Sequence, residues 1–315
     1  MPELNTKATF NPDNVLLSDK KTGNVPEKQG DLVIKQVVDD SLVTKLAKYE
    51  EMDSLRKKFT YLAEGPGAYW VSEGEKIQTS KAKWLSVDME AHKLAVIIPV
   101  SNEFLNFTVT DFFNQMKPKI AEAFQATFDK SVLFGGEDSP FPKGLSVLER
   151  ATTEGNIITQ SDSPYSDIND LMALIEDADL EPQAIATTRS YNKDLRGALD
   201  ERKLPIFNGP RDGVTAEVLG LPIVYGNKKA WDKEKAVAIT GDFDNLFYGI
   251  PQGIEYKILE EATLSTIVGE DGAPINLAER DMVGLRATMY VAFLTVKPDA
   301  FAVLKPKTAN PKPEQ

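Results

Sequence analysis

The residues able to do chemistry are few and poorly matched to one another. Histidine occurs once, at His92, and cysteine not at all. Thiolate nucleophiles, Cys-His pairs and histidine-rich zinc sites are therefore excluded. His92, between Glu90 and Lys93, is expected on the surface of a strand. Carboxylates gather at Glu176-Asp177-Asp179-Glu181 and at Glu260-Glu261. Two acids at a controlled separation can hydrolyse a glycoside or hold a divalent cation, but neither run has EF-hand spacing, and helix ends and solvated faces carry such acids routinely. Gly65 and Gly67 open a pattern like GxGxxG, yet Trp70 stands at the third glycine position and no helix start follows. KGLSVLE around Ser146 lacks the second glycine of a nucleophile elbow, and there is no P-loop. No catalytic, metal-binding or cofactor-binding residue is assigned, no cofactor is expected, and the chain is not expected to be an enzyme.

Binding or construction is the alternative, and the composition narrows it. The chain has 315 residues, 42% of them hydrophobic, enough for one large or two moderate domains. Its 48 acidic and 36 basic residues give a formal charge of -12, the wrong sign for a protein that grips nucleic acid through a basic stripe. The lysine clusters Lys57-Lys58, Lys81-Lys83 and Lys228-Lys229 are short and interleaved with acids. An acidic wall can still border a DNA-filled space, because its repulsion is screened within roughly 8 Å at physiological salt. The absence of cysteine fits a reducing cytoplasm. MPELNTKATFNPDN lacks the basic and apolar regions of a secretory signal, and the longest apolar run, LAVIIPV, is far short of the roughly 20 residues that span a bilayer, so no membrane partner is expected.

The elements that must position any binding residues follow from periodicity. Residues 1 to about 30 are polar and rich in breakers, an extended arm, and apolar spacing then predicts a short helix near Ser41 to Tyr49. From Arg56 to Val100 two strand-like arms, Lys58 to Leu62 and Trp84 to Val100, flank a tip of glycine, lysine and glutamate that holds Trp70. An isolated hairpin is marginal in water, so something else must cover it. Tryptophan in so polar a setting has the composition of a loop that docks on another molecule. Next comes the clearest helix: Thr108 and Asp111 form a capping-box pair with Thr110 as an alternative cap, and Phe112, Met116, Ile120, Phe124, Phe128 and Val132 recur every four residues before Gly135-Gly136 ends the run. Pro118 inside it predicts a bend near Asn114 to Pro118. Residues 160 to 250 read as alternating helices and strands: a helix after Ser166-Asp167, a strand at QAIATTR, a helix at SYNKDLRGALD, and strands at GLPIVYGN and AVAITGDF. The closing stretch carries two long strands, IEYKILEEATLSTI and LRATMYVAFLTV, that pair antiparallel around GEDGAP, with a short helix over 277–282 between them. The tail KPKTANPKPEQ is polar and expected to be mobile.

That order of elements, together with local sequence, resembles the major capsid proteins of tailed bacteriophages with the Hong Kong 97-type fold. The similarity is carried by Phe10-Asn11-Pro12-Asp13-Asn14-Val15, GAYWVSEGEKIQTSKAKW, Pro99-Val100 before Glu103-Phe104-Leu105, Lys117 to Phe124, Gly241-Asp242-Phe243 with Tyr248-Gly249-Ile250-Pro251, and Asp281-Met282-Val283 with Arg286-Ala287-Thr288. These look like coat proteins of siphophages of Gram-positive hosts. The resemblance implies an α+β fold divided into an N-terminal arm (1–30), a short helix and lead-in (31–55) and an extended-loop hairpin (56–94). It further implies a peripheral domain (95–154 and 251–305) with a spine helix at 111–134, an axial domain (155–250) and a mobile tail (306–315).

By the same resemblance, the chain self-assembles into pentamers and hexamers of an icosahedral shell enclosing double-stranded DNA, in a virion assembled in the host cytoplasm. The implied partners are other copies, a separate scaffolding protein, a portal, and packaged DNA held only by weak non-specific proximity. Because the chain starts almost at the arm, maturation cleavage is not expected, and nothing here assigns covalent crosslinking. Candidate inter-subunit contacts are Phe10, Tyr69, Trp70 and Trp84 as anchors and Glu73, Glu75, Lys76, Lys81 and Lys83 as steering charges, with Pro118 as a candidate hinge during shell expansion. Three other readings stand beside this one. An encapsulin-like compartment shares the architecture, a carboxylate-dependent hydrolase would act from the acidic middle section, and a tail-tube or adhesin role does not call for so long a helix.

Overall fold

A computed structural model describes residues 41–64, 76, 83–102, 112–200, 202–209, 216–268 and 274–307. The leading arm, the capping residues Thr108, Thr110 and Asp111, most of GEDGAP and residues 308–315 lie outside the described residues.

The described chain opens on a five-residue helix, Leu42–Leu46, capped by the Ser41 hydroxyl, which accepts from the Thr44 amide. This helix is shorter than the expected span of 41–49. Lys48–Tyr49 forms strand β1, paired in parallel with Phe247 and Tyr248, so a distant partner takes the backbone groups that a longer helix would have used.

Strands β2 (Arg56–Glu64) and β3 (Lys83–Glu90) pair antiparallel from Arg56 opposite Glu90 to Leu62 opposite Trp84, then shift register to Glu64 opposite Lys83. They form a two-stranded sheet of their own. The arm expected to run from Trp84 to Val100 is in fact two strands. At buried Ala91, whose amide donates to the Leu55 carbonyl at 2.8 Å, the chain leaves the ribbon and continues as β4 (His92–Ser101) in a different sheet. His92 is not a simple surface residue either. Its ring is half-buried and meets Phe141 edge-on at 4.7 Å between centroids.

The long helix runs from Phe112 to Phe134 with Pro118 inside it. Its predicted ridge is the buried face: Ile120, Phe124, Phe128 and Val132 are each at most 4% exposed. Gly135 and Gly136 take φ of 54° and 118°, a backbone that L side chains avoid, and end the helix where expected. Ser146 then starts the helix Val147–Glu154 through a reciprocal capping box with Glu149, so its hydroxyl is committed to structure.

Beyond it lie β5 (Ile157–Thr159), a helix at Pro164–Glu176, β6 (Ala184–Thr187), a helix at Asn192–Gly197, β7 (Phe207–Asn208), β8 (Glu217–Val218), β9 (Leu221–Tyr225) and β10 (Ala238–Gly241). Ser163, not the expected Ser166-Asp167 pair, caps the first of these helices. Asp167 is buried, and both its carboxylate oxygens accept from the Ser161 amide, at 3.1 and 3.0 Å.

The closing region is β11 (Leu246–Leu259), β12 (Thr263–Val268), β13 (Pro274–Asn276), β14 (Met282–Thr295) and β15 (Phe301–Lys305). The expected antiparallel pairing of the two long runs is present as β11 with β14, from Leu246 opposite Thr295 to Leu259 opposite Gly284. β11 begins earlier than expected and stops at Leu259, after which β12 and β13 make a separate small ribbon. The segment 277–282 is a turn closed by the Met282 amide on the Leu277 carbonyl at 2.9 Å, not a helix.

Two larger sheets result. One has the order β1-β11-β14-β4, the other β5-β15-β10-β6-β9-β8-β7. The closing strands are divided between the two sheets. β15 joins the middle section, antiparallel to β10 and parallel to β5. Its composition explains the move: on FAVLK, Phe301 and Val303 enter the core that holds the long helix and Leu285, Ala287, Met289, Val291 and Phe293 of β14. Ala302 and Leu304 face the second core, with Ile168, Leu171 and Ile175 of the helix on the other side of the sheet. At about 1.5–3 kcal/mol for each large apolar side chain buried, a strand apolar on both faces is stable only between two such layers.

Candidate functional site

The structure contains no gathered reaction centre among its described residues. Glu176, Asp177, Asp179 and Glu181 are all exposed around the end of a helix, Glu260 and Glu261 are exposed where β11 stops, and no group of acids and histidine suited to a metal ion occurs among the described residues. The features that stand out are mechanical: a ribbon that belongs to no larger sheet, a long helix, and the clasp that holds the start of the described chain against that helix.

Among the described residues, the ribbon is tied down at its base and by one face. Alternation along β2 and β3 puts Arg56, Lys58, Thr60, Ser86 and Asp88 in solvent, while Phe59, Val87 and Met89 turn inward. These three pack with Met52, Ala91, Ala292 and Leu294, and the Phe59 ring stacks on Phe247 at 6.3 Å. Charge pairs brace the same end: Arg56 donates to Glu90 at 2.8 Å, and Lys57 bridges Glu50 at 2.5 Å and the Glu51 carbonyl at 2.7 Å. The neighbouring carboxylate raises the Arg56 guanidinium above its ordinary value, first through the hydrogen bond.

Of the sequence-predicted contact residues, Lys83 and Trp84 lie on β3, opposite Glu64 and Leu62. Lys76 is exposed. Phe10, Tyr69, Trp70, Glu73, Glu75 and Lys81 lie outside the described residues. Pro118 is exposed on the long helix, beside a groove formed with Arg189 and Asn227.

The clasp was not anticipated from sequence. Asp129, on the long helix and only 1% exposed, accepts from the Ser41 hydroxyl, from the Leu42 amide at 2.9 Å and from the Val43 amide at 3.3 Å. One carboxylate thus serves the first turn of the helix that follows the arm, where amides have no partner within the helix. Burial pushes the Asp129 carboxyl above the usual carboxylate range, and the three donors pull it part of the way back. The only advance signs were Ser41 as a cap and an aspartate adjoining the apolar ridge.

The family model described as the phage capsid family matches residues 23–305 of this sequence. The chain belongs to that family. It is 45% identical over 298 residues to the protein named major capsid protein of Staphylococcus phage 80alpha, covering 94% of this chain and 89% of that one. Among solved structures, a chain of Microbacterium phage Oxtober96 superposes with a TM-score of 0.72 at 27% identity, over 93% of this chain and 95% of the other. The capsid of a native GTA particle computed with C5 symmetry shares the fold at 12% identity and a TM-score of 0.62, covering 93% of this chain and 96% of that one. The mixed α and β class and the phage-capsid resemblance read from the sequence both hold for this family member.

Proposed function

We propose that the chain is the major capsid protein of a tailed phage, and that it assembles into the pentamers and hexamers of an icosahedral shell enclosing double-stranded DNA. The observation that carries this reading is the 45% identity, over 94% of the chain, to a protein bearing that name. The architecture gives it a physical basis. The ribbon is anchored on one face near Phe59 and Met89, in a small core of its own with Met52, Ala91, Ala292 and Leu294. Neighbouring copies supply the missing cover, so that ordering the ribbon and assembling the shell become one event. Contacts that are weak singly multiply when each copy meets several others and the closed shell leaves no edge.

In this reading 1–30 is an arm laid over neighbours and 56–94 the extended loop, with its body end at Ala91. Residues 95–154 with most of the closing strands form the peripheral domain, and 155–250 form the axial domain near the symmetry axes. Tyr69, Trp70, Trp84 and Phe10 anchor the contacts, Glu73, Glu75, Lys76, Lys81 and Lys83 set their register, and Pro118 is the hinge of the long helix when the shell expands. A separate scaffolding protein and a portal assist assembly in the host cytoplasm, and packaged DNA touches the inner wall without specific grip.

The test is electron microscopy and sizing of the chain expressed with a candidate scaffolding protein from the same phage. Closed shells of regular diameter are expected. A monomer or dimer under all such conditions overturns the proposal, and shells filled with protein cargo instead of DNA replace it with the compartment reading.

A further inference from the structure

Among the described residues, the centre of the seven-stranded sheet has a basic end and an acidic end. β6 runs parallel to β9 and antiparallel to β10, so β6 and β9 finish where β10 begins. At that end Arg189 follows β6, Lys228 and Lys229 follow β9, and Lys233 and Lys235 lead into β10, against Asp232 and Glu234. At the other end the chain enters β6 through Glu176, Asp177, Asp179 and Glu181 and leaves β10 through Asp242 and Asp244. The four residues of β6 hold the two ends about 13 Å apart.

Both ends carry charge that the fold does not neutralise. Beside the basic end, a groove of about 450 Å³ lies between Arg189 and Asn227 on one side and Lys119 and Glu122 of the long helix on the other. Lys229 and Lys119 share Glu122, at 2.9 and 3.5 Å. Arg189 is exposed, lies over the Tyr225 ring at 5.0 Å, and has no carboxylate partner among the described residues. Tyr225 is itself fixed, its hydroxyl accepting from Asn192 at 2.9 Å. A guanidinium positioned over a ring with its N–H groups free can take a carboxylate through two parallel bonds. On the acidic side Lys48 reaches Asp244 at 3.1 Å, while Glu176, Asp177, Asp179 and Glu181 are exposed and have no cationic partner among the described residues. Glu176 and Asp177 stand at a helix C-terminus, where the helix dipole disfavours them, so the fold gains nothing from their charge.

We propose that the basic end of this sheet, with the Arg189 groove, docks the acidic end of a second copy of the chain, head to tail. The proposal rests on the assembly reading above and names the surfaces through which neighbours in one ring meet. Like ends repel, so the contact joins unlike surfaces, and an unlike contact repeated at a fixed rotation closes into a ring instead of stopping at a dimer. A nucleic acid could fill the basic end but would leave the acidic end without a partner; a second copy satisfies both.

The test is charge exchange in the full-length chain expressed with the scaffolding protein of the same phage. One variant reverses the basic end, Arg189→Glu with Lys228→Glu, a second the acidic end, Glu176→Lys with Glu181→Lys, and a third combines all four substitutions. Glu255→Lys with Glu260→Lys, two exposed acids of β11 outside this sheet, is the control for net charge. Shells are counted by negative-stain microscopy, and circular dichroism of the unassembled chain verifies folding. Each single-end variant is expected to lower the count at least about tenfold, because like charges then face each other. The combined variant is expected to return to within about twofold of the native chain, whereas independent effects would multiply to about a hundredfold loss. The control is expected to match the native chain. A combined variant no better than either single-end variant, single-end variants that assemble normally, or an equal loss in the control would each overturn the head-to-tail contact while leaving the assembly reading in place. No shells from the unaltered chain would overturn that reading and this contact with it.

Discussion

Replacing Asp129 with alanine should cost the chain about 3 kcal/mol of folding stability. The figure follows from what the carboxylate touches. Its loss leaves the Leu42 and Val43 amides and the Ser41 hydroxyl without their buried acceptor, and each buried donor left unpaired costs about 1–3 kcal/mol. Ser41 retains its bond from the Thr44 amide, and removing a buried charge returns part of the loss, which places the net near the lower end of the sum. The assay is urea unfolding of the dissociated chain by circular dichroism. With a slope of about 3 kcal/mol per molar, the midpoint should fall by roughly 1 M. A pH series adds a check of sign. Burial raises the Asp129 carboxyl above its unfolded value, so the folded state holds the proton more tightly than the unfolded one. That contribution is complete below the unfolded value of roughly 4 and is lost as pH rises through the folded value. Asparagine imitates the protonated acid at every pH, so the native chain and Asp129→Asn should be nearest in stability in acid, and the native chain should lose ground to the variant as pH rises. A midpoint shift under about 0.3 M for alanine, or a native chain that gains stability relative to Asp129→Asn as pH rises, would refute the clasp.

Three other outcomes are expected. Phe59→Ala, at the half-buried root of the ribbon, should cost about 2 kcal/mol, less than the roughly 3–5 of a fully buried phenylalanine; particle yield on a density gradient should fall while helical content is unchanged. Gly241→Ala should abolish soluble expression, because a Cβ there would stand 2.3 Å from the Ala300 carbonyl oxygen and 2.6 Å from the Phe301 ring; a soluble, folded variant would contradict the packing of β10 against the turn before β15. Trp70→Ala should reduce shell formation, counted by negative-stain microscopy, without altering the circular dichroism of the unassembled chain, and normal particle numbers would remove Trp70 from the anchors.

What was legible in the sequence is what local period can encode. Phe124, Phe128 and Val132 announced the face of the long helix, and Gly135-Gly136 its end, because both signals reside in neighbouring residues. Partner choice between sheets is not written locally. No glycine or proline interrupts the run from Trp84 through Ala91 to Ile98, so no breaker marked Ala91 as the point where the strand changes sheets. FAVLK shows that β15 is buried on both faces but not between which strands. The helix expected to reach Tyr49 was cut short by pairing with residues two hundred positions away. Within the candidate site, the ribbon was visible as a segment unable to support itself, whereas the Asp129 clasp and the Arg189 groove join residues whose types carry no signal until the fold brings them together.

The place of β15 has a consequence for synthesis. Phe301–Lys305 fills a slot between β5 and β10, second from one edge of the seven-stranded sheet, and this strand is translated after every other one in either large sheet. Until the ribosome has passed Lys305, β5 has no neighbour and β10 presents a bare edge, so the first core lacks Phe301 and Val303 and the second lacks Ala302 and Leu304. A polypeptide broken off by premature termination is thereby kept out of the finished particle: the seam that would hold it together is stitched last.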